Sequence, residues 1–77
     1  MKFVYIIENE CGARYTGITD NVEARLKRHN ARNVPSTALS GPWSLRTFVA
    51  FTDSALATDF EKYLKSGSGR AFAKKRL

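Results

Sequence analysis

Five side chains in this sequence could take part in chemistry on a phosphate ester. Hydrolysing a phosphodiester requires a positioned water molecule, relief of negative charge on the non-bridging oxygens and stabilisation of the leaving oxyanion. A guanidinium can grip the phosphate through paired donors, and a carboxylate offers the hard oxygen that Mg²⁺ or Mn²⁺ prefers. A phenol or an imidazole can position the water or accept its proton. The candidate residues for these tasks are Tyr5, Tyr15, Arg25, His29 and Glu61.

The two tyrosines near the N-terminus are predicted to lie on one face of a β-hairpin. The turn between the two strands has Asn9 at its first position and Gly12 at its fourth, which is typical of a type I turn followed by a bulge. This turn pairs Tyr5 with Gly17 and brings Tyr15 onto the same face, diagonally across the strands. Because Gly17 has no side chain, it leaves space beside Tyr5. A shift of one residue in the register would put the two rings on opposite faces.

Arg25 and His29 are predicted to lie on the helix that follows the hairpin. Asp20 and Glu23 have the spacing of a capping box, so we expect this helix to begin at about Asn21, with Asp20 as its N-cap. Arg25 and His29 are four residues apart and therefore share one side of the helix, at the border between its apolar stripe and solvent. A cleft can form at such a border.

A long loop and a third strand are predicted next. Residues 31–43 contain two prolines and several small polar residues, which indicates a loop. In this loop Trp43 either stacks on a base or packs in the core, and its position at the start of a strand favours the core. Residues 45–51 predict a strand that is buried on much of both faces.

Glu61 is predicted to lie at the rim of the helix after this strand. Asp53 or Ser54 can cap that helix, and its apolar stripe docks it on the sheet. Glu61 lies about 60° beyond the edge of the stripe by helical rotation. After a break at residues 66–67, Ser68 can cap a short final helix. The order β-β-α-β-α-α indicates an α+β domain. The apolar stripe comprises Leu56, Phe60, Tyr63 and Leu64.

Length and composition indicate one small domain over residues 1–77. A chain of this size buries only roughly 60% of the surface of its unfolded state, so a marginal stability is expected. The single cysteine, Cys11, cannot form an internal disulfide and suits a reducing cytoplasm. No apolar run reaches the roughly 20 residues that span a bilayer. We therefore expect a cytoplasmic protein without a membrane partner.

The distribution of charge favours a polyanionic partner. Thirteen Lys and Arg residues against seven Asp and Glu residues give a formal net charge of +6. No acid occurs from Ala24 to Thr52 or after Glu61. Nucleic acid is the commonest polyanion in a cytoplasm, although basic helix faces can also be simply solvated. The basic residues expected to contact nucleic acid are Lys27, Arg28, Arg32, Lys65 and Arg70.

Taken in order, these residues resemble the GIY-YIG endonuclease domain. The two motifs that name this family read here as FVY at residues 3–5 and YTG at residues 15–17. The resemblance continues through Arg25, His29 and Glu61 and so covers essentially the whole chain. It is most similar to small stand-alone bacterial members and to the N-terminal nuclease domain of the excinuclease. It implies a three-stranded antiparallel sheet flanked by helices.

The resemblance also implies a reaction, the metal-dependent endonucleolytic cleavage of DNA. One Mg²⁺ or Mn²⁺ is then expected at Glu61, and Tyr5 or Tyr15 would position or deprotonate the attacking water. A free tyrosine has a pKa near 10 and is ionised in only about one molecule in 10³ at pH 7. A neighbour such as His29, or the metal, must therefore assist it.

Three positions depart from the family pattern. Phe3 replaces the first glycine, Ile18 stands where excinuclease-type members carry a lysine, and Ala73 stands where they carry an asparagine. Without that lysine, His29 is the candidate proton acceptor. Without the asparagine, we expect a weaker metal site and a slow enzyme.

Two classes of function are compatible with the sequence. The first is a metal-dependent endonuclease acting on DNA, including branched or damaged DNA in repair or recombination, with RNA as a further possible substrate. The second is a basic nucleic-acid-binding module with weak or no turnover. The first is favoured because a pure binder does not need Glu61. A chain of 77 residues has little surface for base readout, so a protein partner could supply specificity.

Overall fold

The computed structural model describes all 77 residues as three strands and three helices. The strands form one antiparallel sheet in the order β2-β1-β3. The predicted α+β class, the element order and the three-stranded antiparallel sheet are therefore confirmed. In chain order the elements are β1 (Lys2–Glu8), β2 (Arg14–Thr19), α1 (Val22–Asn30), β3 (Ser44–Phe51), α2 (Ser54–Lys65) and α3 (Gly67–Arg76).

The central strand β1 has one apolar cluster on each of its faces. Alternate side chains of a strand point to opposite faces, so β1 contributes to both clusters. On one face Tyr5 and Ile7 pack with Trp43 from the loop and with apolar residues of α1. On the other face Val4 and Ile6 pack against α2 and α3. The apolar character of the first run is thus explained by its central position between two layers of helix.

The hairpin turn has the predicted geometry. The Asn9 carboxamide oxygen accepts hydrogen bonds from the backbone N–H groups of Cys11 and Ala13, and Gly12 has a φ of 83°. That left-handed conformation is accessible to glycine at little cost, which is why this position suits glycine. The turn sets the register in which Tyr5 lies opposite Gly17. The predicted register is confirmed.

The N-cap of α1 is Asn21, so the prediction of Asp20 was wrong by one residue. The Asn21 side chain accepts a hydrogen bond from the backbone N–H of Ala24 at 3.0 Å. The Thr19 hydroxyl accepts a bond from the Asn21 backbone N–H, which helps to hold the entry of the helix. Asp20 forms a 2.7 Å ion pair with Lys2 instead.

The two C-terminal helices meet at Ser66. Of the two predicted caps of α2, Asp53 and Ser54, the structure has Asp53, whose carboxylate accepts bonds from two backbone N–H groups of the first turn. The cap of α3 is Ser66, whose hydroxyl accepts a bond from the Gly69 N–H, so the prediction of Ser68 was wrong. One residue in an extended conformation both ends α2 and caps α3, and the two helices pack without a linker.

The burial predicted for the second half of the chain is partly wrong. No residue of β3 is fully buried, and Phe48 is 49% exposed, because β3 is an edge strand that the helices cover only in part. Leu56 is also exposed, and the buried positions of α2 are Ala57 and Leu64. Trp43 lies in the core as favoured, with its indole N–H donating to the Thr37 carbonyl at 3.1 Å.

The loop of residues 31–43 contains turns but no helix or strand. Its backbone covers the face of the sheet on which α1 packs, since Trp43 and Thr37 are both buried there. None of the three helices has the length and apolar character that a membrane crossing requires.

Candidate active site

A buried chain of hydrogen bonds connects β1, α1 and the long loop. The Tyr5 phenol lies 2.8 Å from Nε2 of His29, and Nδ1 of His29 lies 2.6 Å from the Thr37 hydroxyl. The Arg25 Nε–H donates to the Tyr5 oxygen at 3.4 Å. Tyr5, His29 and Thr37 are each 1% exposed. The prediction that His29 lies at the border between core and solvent was therefore wrong.

The donors and acceptors of this chain can be assigned in one consistent direction. The Thr37 hydroxyl donates to the carbonyl oxygen of Val34 at 3.4 Å, so it accepts a hydrogen from Nδ1 of His29. Nε2 of the neutral imidazole is then an acceptor, and the Tyr5 hydroxyl donates to it. Arginine can only donate, which agrees with its bond to the Tyr5 oxygen. These bonds satisfy both ring nitrogens of His29 and the hydroxyls of Tyr5 and Thr37.

The electrostatic environment keeps both ring systems neutral. Burial raises the pKa of Tyr5 above its ordinary value, and the opposing influence of the Arg25 guanidinium is smaller. Burial also lowers the pKa of His29, and the charges of Arg25 and Arg28 lower it further. Both shifts favour the uncharged forms that the hydrogen-bond directions require.

The stability of the fold is expected to depend on pH through His29, the one histidine of the chain. Its folded pKa is depressed, so between that pKa and about 6.5 the unfolded state binds more protons than the folded state. Stability should therefore be fully present above about pH 6.5 and fall as the pH drops through this window. Urea unfolding of the wild type from about pH 7.5 to about pH 5 would measure this slope.

His29→Gln is the control for this prediction, because the amide can replace one ring nitrogen but does not titrate. The slope between about pH 6.5 and 5 should be smaller in the variant than in the wild type. Asp20, whose pKa is lowered chiefly by its hydrogen bond from Lys2, titrates below this window. Equal slopes in the two proteins would show that His29 is not the titrating group.

Gly17 is required by the close approach of the Tyr5 ring. A Cβ atom at this position would lie 2.6 Å from the ring carbon that bears the hydroxyl and would also overlap the phenol oxygen. The phenol therefore occupies the space of the missing side chain, as the sequence predicted. This contact positions the Tyr5 hydroxyl toward His29 and Arg25.

Tyr15 lies beside this chain but is more open to solvent. Its ring centroid is 6.5 Å from that of Tyr5 and 5.1 Å from that of His29. Its side chain is only partly buried, and its hydroxyl makes no hydrogen bond within the protein. The Lys65 ammonium lies 5.9 Å from the ring centroid, reaching Tyr15 from α2 past the β2 edge of the sheet.

Glu61 is connected to Tyr15 through Lys65. Its carboxylate forms a 2.9 Å ion pair with Lys65, one turn later on α2, and its side chain is 17% exposed. No group of three or more His, Cys, Asp or Glu residues comes together anywhere in the protein. Glu61 is therefore a carboxylate outside any cluster of three or more such ligands. That donor fits Mg²⁺ or Mn²⁺ only as an ion that keeps most of its waters or takes further oxygens from a substrate phosphate.

The structure divides the predicted site residues into three groups. Tyr5, Tyr15, Gly17, Arg25 and His29 come together on one face of the sheet. Glu61 lies on α2, which packs on the other face of the sheet, and is connected to this group through Lys65. The predicted nucleic-acid-binding residues separate, with Lys27, Arg28 and Arg32 on or just after α1 and Lys65 and Arg70 beside a cleft next to Tyr15.

Three residues at these sites were not predicted from the sequence. Thr37 fixes the tautomer of His29, but nothing in the pattern of the loop distinguishes it from other small polar residues. Arg14 and Lys74 line the cleft beside Tyr15. Their positive charge was a signal, but only the packing of α3 against the sheet shows that they face one another.

Comparison with known proteins relates the whole chain to one family. The sequence profile of the GIY-YIG catalytic domain matches residues 1–76. A UPF0213 protein of Clostridium perfringens is 36% identical over 66 residues, which are 84% of this chain and 71% of that protein. A UPF0213 protein of Halalkalibacterium halodurans is 35% identical over 69 residues, 88% of this chain and 73% of that protein.

A third relative, a UPF0213 protein of Vibrio campbellii, is 32% identical over 63 residues, which are 80% of this chain and 61% of that protein. No solved structure matches the chain. The match with the profile spans the hairpin, α1 and α2, and therefore includes every element that contributes to the network around Tyr5 and to Glu61.

Proposed function

The chain belongs to the GIY-YIG family, a family of nuclease domains, and on that premise we propose that it is an endonuclease that hydrolyses phosphodiester bonds in DNA with one divalent metal ion. The observation that carries the proposal is the position of Arg25. Its Nε is bound to Tyr5, and it makes no salt bridge. Its two terminal nitrogens are therefore available to grip a phosphate through paired donors.

Tyr5 and His29 act as positioning residues in this proposal. Both are buried, and both nitrogens of His29 are already bonded, to Tyr5 and to Thr37. Their effect on the reaction passes through the Tyr5 oxygen, which holds the Arg25 side chain. The precise position of the guanidinium matters because catalysis depends on charge that is already oriented toward the phosphate before the reaction.

Tyr15 is the residue proposed to contact the attacking water. It is the more exposed tyrosine of the pair, its hydroxyl has no partner within the protein, and it lies between the Arg25 side of the sheet and Glu61. A phenol can donate to or accept from a water molecule and so orient it for attack. The Glu61 carboxylate would hold the metal ion, which would supply positive charge at the phosphate and make a bound water more acidic.

The two tyrosines should respond differently to loss of the hydroxyl. Tyr15→Phe removes a hydroxyl with no partner in the protein, so the free energy of unfolding should stay within about 0.5 kcal/mol while cleavage falls by about 10²-fold. Tyr5→Phe leaves Nε2 of His29 and Nε of Arg25 without a partner, so it should lower stability by about 1–3 kcal/mol. Urea unfolding and single-turnover cleavage measure the two effects.

Each variant serves as the control of the other, since both keep the aromatic ring and lose one oxygen. The assignment fails if Tyr15→Phe cleaves as fast as the wild type. It also fails if Tyr15→Phe, rather than Tyr5→Phe, is the variant that loses stability.

The proposed activity is tested with a panel of labelled substrates. Flap, fork, nicked, duplex and single-stranded DNA, and the matching single-stranded RNA, should be incubated with Mg²⁺, with Mn²⁺ and with EDTA. We expect cleavage of at least one DNA substrate with a metal ion and none with EDTA. Selective cleavage of a branched substrate would support a role in repair or recombination.

A binding module without turnover is the second candidate, and the ion pair of Glu61 favours it. Because Lys65 already neutralises this carboxylate at 2.9 Å, a metal ion must displace the ammonium to bind. Tight binding to DNA together with no cleavage of any substrate in the panel, at either metal ion, would establish this second function in place of the first.

A further inference from the structure

A cleft of about 750 Å³ lies between β2 and the two C-terminal helices, beside Tyr15. Its floor is apolar and includes Ile6 and Leu64, and its rim is charged. It is separate from the buried network around Tyr5, because it lies on the side of the sheet that α2 and α3 cover. The charged rim consists of Glu8, Arg14, Lys65, Arg70 and Lys74.

The rim carries four cations and one carboxylate. That carboxylate, Glu8, is held by Arg14 at 3.3 Å and by Arg46 at 3.7 Å. Arg14 also donates to the Ala73 carbonyl, which ties β2 to α3 and forms one wall of the cleft. The acid in the cleft is therefore neutralised within the protein, and the field at its mouth remains positive.

Among the four cations of the rim, Arg70 and Lys74 are the two that no carboxylate of the protein neutralises. Neither side chain has an acidic partner within 4.0 Å, and both residues are exposed. They lie one turn apart on α3, where two like charges repel each other and disfavour the helix. Arg70 is also in the first turn of α3, which is the positive end of the helix dipole. An anion bound between them would relieve both repulsions.

We propose that this cleft binds the sugar-phosphate backbone of a single DNA strand, on the path that leads to Tyr15. The proposal rests on the function proposed above and names the part of the protein that holds the substrate. Basic grooves with an aromatic side chain at one end are typical of sites for single-stranded nucleic acid, because the cations follow the phosphates and the ring stacks on a base.

The size of the cleft is that of a small-ligand site and favours a single strand over a duplex. Its volume of about 750 Å³ lies within the range of roughly 300–1,000 Å³ that is typical of small-ligand sites. A B-form duplex, whose major groove alone is about 12 Å wide, is much larger than such a ligand. The α1 cations Lys27 and Arg28 lie on the opposite side of the sheet and are left for the remaining part of the substrate.

The test compares two double variants that each remove two positive charges from the C-terminal part of the chain. Arg70→Ala with Lys74→Ala removes the unpaired cations of the cleft. Lys62→Ala with Lys75→Ala removes two exposed cations that do not line it. Binding of a short fluorescent oligothymidine is followed by anisotropy in EDTA over a series of salt concentrations, and thermal melting verifies that both variants fold.

The cleft variant should bind the oligothymidine at least about tenfold more weakly than the wild type, and its slope of log affinity against log salt should be smaller by about 1.4, as two lost contacts to a single strand predict. The control variant should stay within about threefold of the wild type. Equal losses in the two variants would show that the charge acts diffusely and would overturn the proposal. It would also be overturned if a duplex of the same length bound more tightly and lost as much affinity in the cleft variant.

Failure of this proposal can be distinguished from failure of the proposed function. Binding is measured without metal, so it does not require turnover. If the wild type cleaves DNA while the cleft variant binds normally, the proposal for the cleft is wrong and the proposed endonuclease function is retained. If the wild type binds no nucleic acid at all, both the proposal for the cleft and the proposed function are wrong.

Discussion

Glu61→Ala is expected to reduce cleavage by at least about 10³-fold while leaving the fold and metal-free DNA binding intact. The proposed metal ion would be held by the Glu61 carboxylate, and no cluster of three or more ligand residues exists that could retain the ion without it. A metal ion contributes several kcal/mol to the charge stabilisation of a phosphoryl transition state, and each 1.36 kcal/mol is a factor of ten in rate. Single-turnover cleavage in Mg²⁺ and Mn²⁺ measures the loss.

The stability of this variant should change little. The ion pair lost with Glu61 spans one turn of α2, and such pairs contribute about 0.2–0.5 kcal/mol. Affinity for DNA in EDTA should hold or rise slightly, because the variant has one acid fewer and frees Lys65. The effects on binding and on cleavage therefore have opposite signs.

Glu23→Ala is the matched control for this experiment. Glu23 forms the same kind of pair with Lys27, one turn later on α1, and both of these side chains are exposed. Glu23→Ala therefore removes the same charge and the same type of helix contact as Glu61→Ala, but on α1 instead of α2. If Glu23→Ala lost as much activity as Glu61→Ala, the loss would reflect net charge or helix stability. If Glu61→Ala cleaved as fast as the wild type, Glu61 would not be a metal ligand.

Gly69→Ala is expected to destabilise the protein more than any other single methyl group added at its glycines. A Cβ at this position would overlap the carbonyl oxygen of Tyr63 and lie 2.6 Å from the Cα of Leu64. These neighbours are backbone atoms of α2, so no side chain can move aside and α3 itself must shift. We expect a loss of about 3 kcal/mol, at the upper end of the range for over-packing, and a Tm lower by roughly 10–20 °C.

Gly67→Ala is the control for the helix junction. It lies two residues earlier, at the first position of α3, and nothing lies within 4 Å of the added methyl group. Alanine has the higher helix propensity and a less disordered unfolded state, so the Tm should stay the same or rise, corresponding to at most about 1 kcal/mol. Thermal melting of the two variants side by side is the measurement. A Gly69→Ala protein as stable as Gly67→Ala would contradict the close packing of α2 and α3.

The junction matters for the proposed cleft because α3 carries two of its cations. Arg70 follows Gly69 directly, and Lys74 lies one turn further on. The close packing at Gly69 therefore sets the distance of both charges from Tyr15 and Arg14 on the other wall. A shifted α3 in Gly69→Ala should weaken the binding of single-stranded DNA even at temperatures where the variant remains folded.

The order of the strands and helices and the register of the hairpin could be predicted from the sequence alone. The turn residues Asn9 and Gly12 fix which residues are opposite each other, and this places Tyr5 beside Gly17. Asp53 as a cap and the rim position of Glu61 follow from helical spacing. All of these are local: the residues that decide them lie within a few positions of one another, so their chemistry can be interpreted without the rest of the chain.

The burial of side chains and the contacts between distant elements could be learned only from the folded structure. Residues 45–51 are apolar enough for a covered strand, yet β3 lies at an edge and its Phe48 is 49% exposed. His29 lies on a helix border by its spacing, but the loop of residues 31–43 folds over it, and Thr37 completes its hydrogen bonds. The cap of α1 is Asn21 rather than Asp20, and Asp20 pairs instead with Lys2 on β1.

The physical reason is that burial and pairing depend on residues distant in the chain. The bond between Tyr5 and His29 spans 24 positions, and Arg14 contacts Ala73 across 59 positions. Periodicity indicates that a side chain has an apolar or a polar environment, but it contains no information about which distant element supplies that environment. Only the folded chain brings Arg70 and Lys74 to the same cleft as Tyr15, and that arrangement is what gives the basic C-terminal segment a specific place at the proposed site.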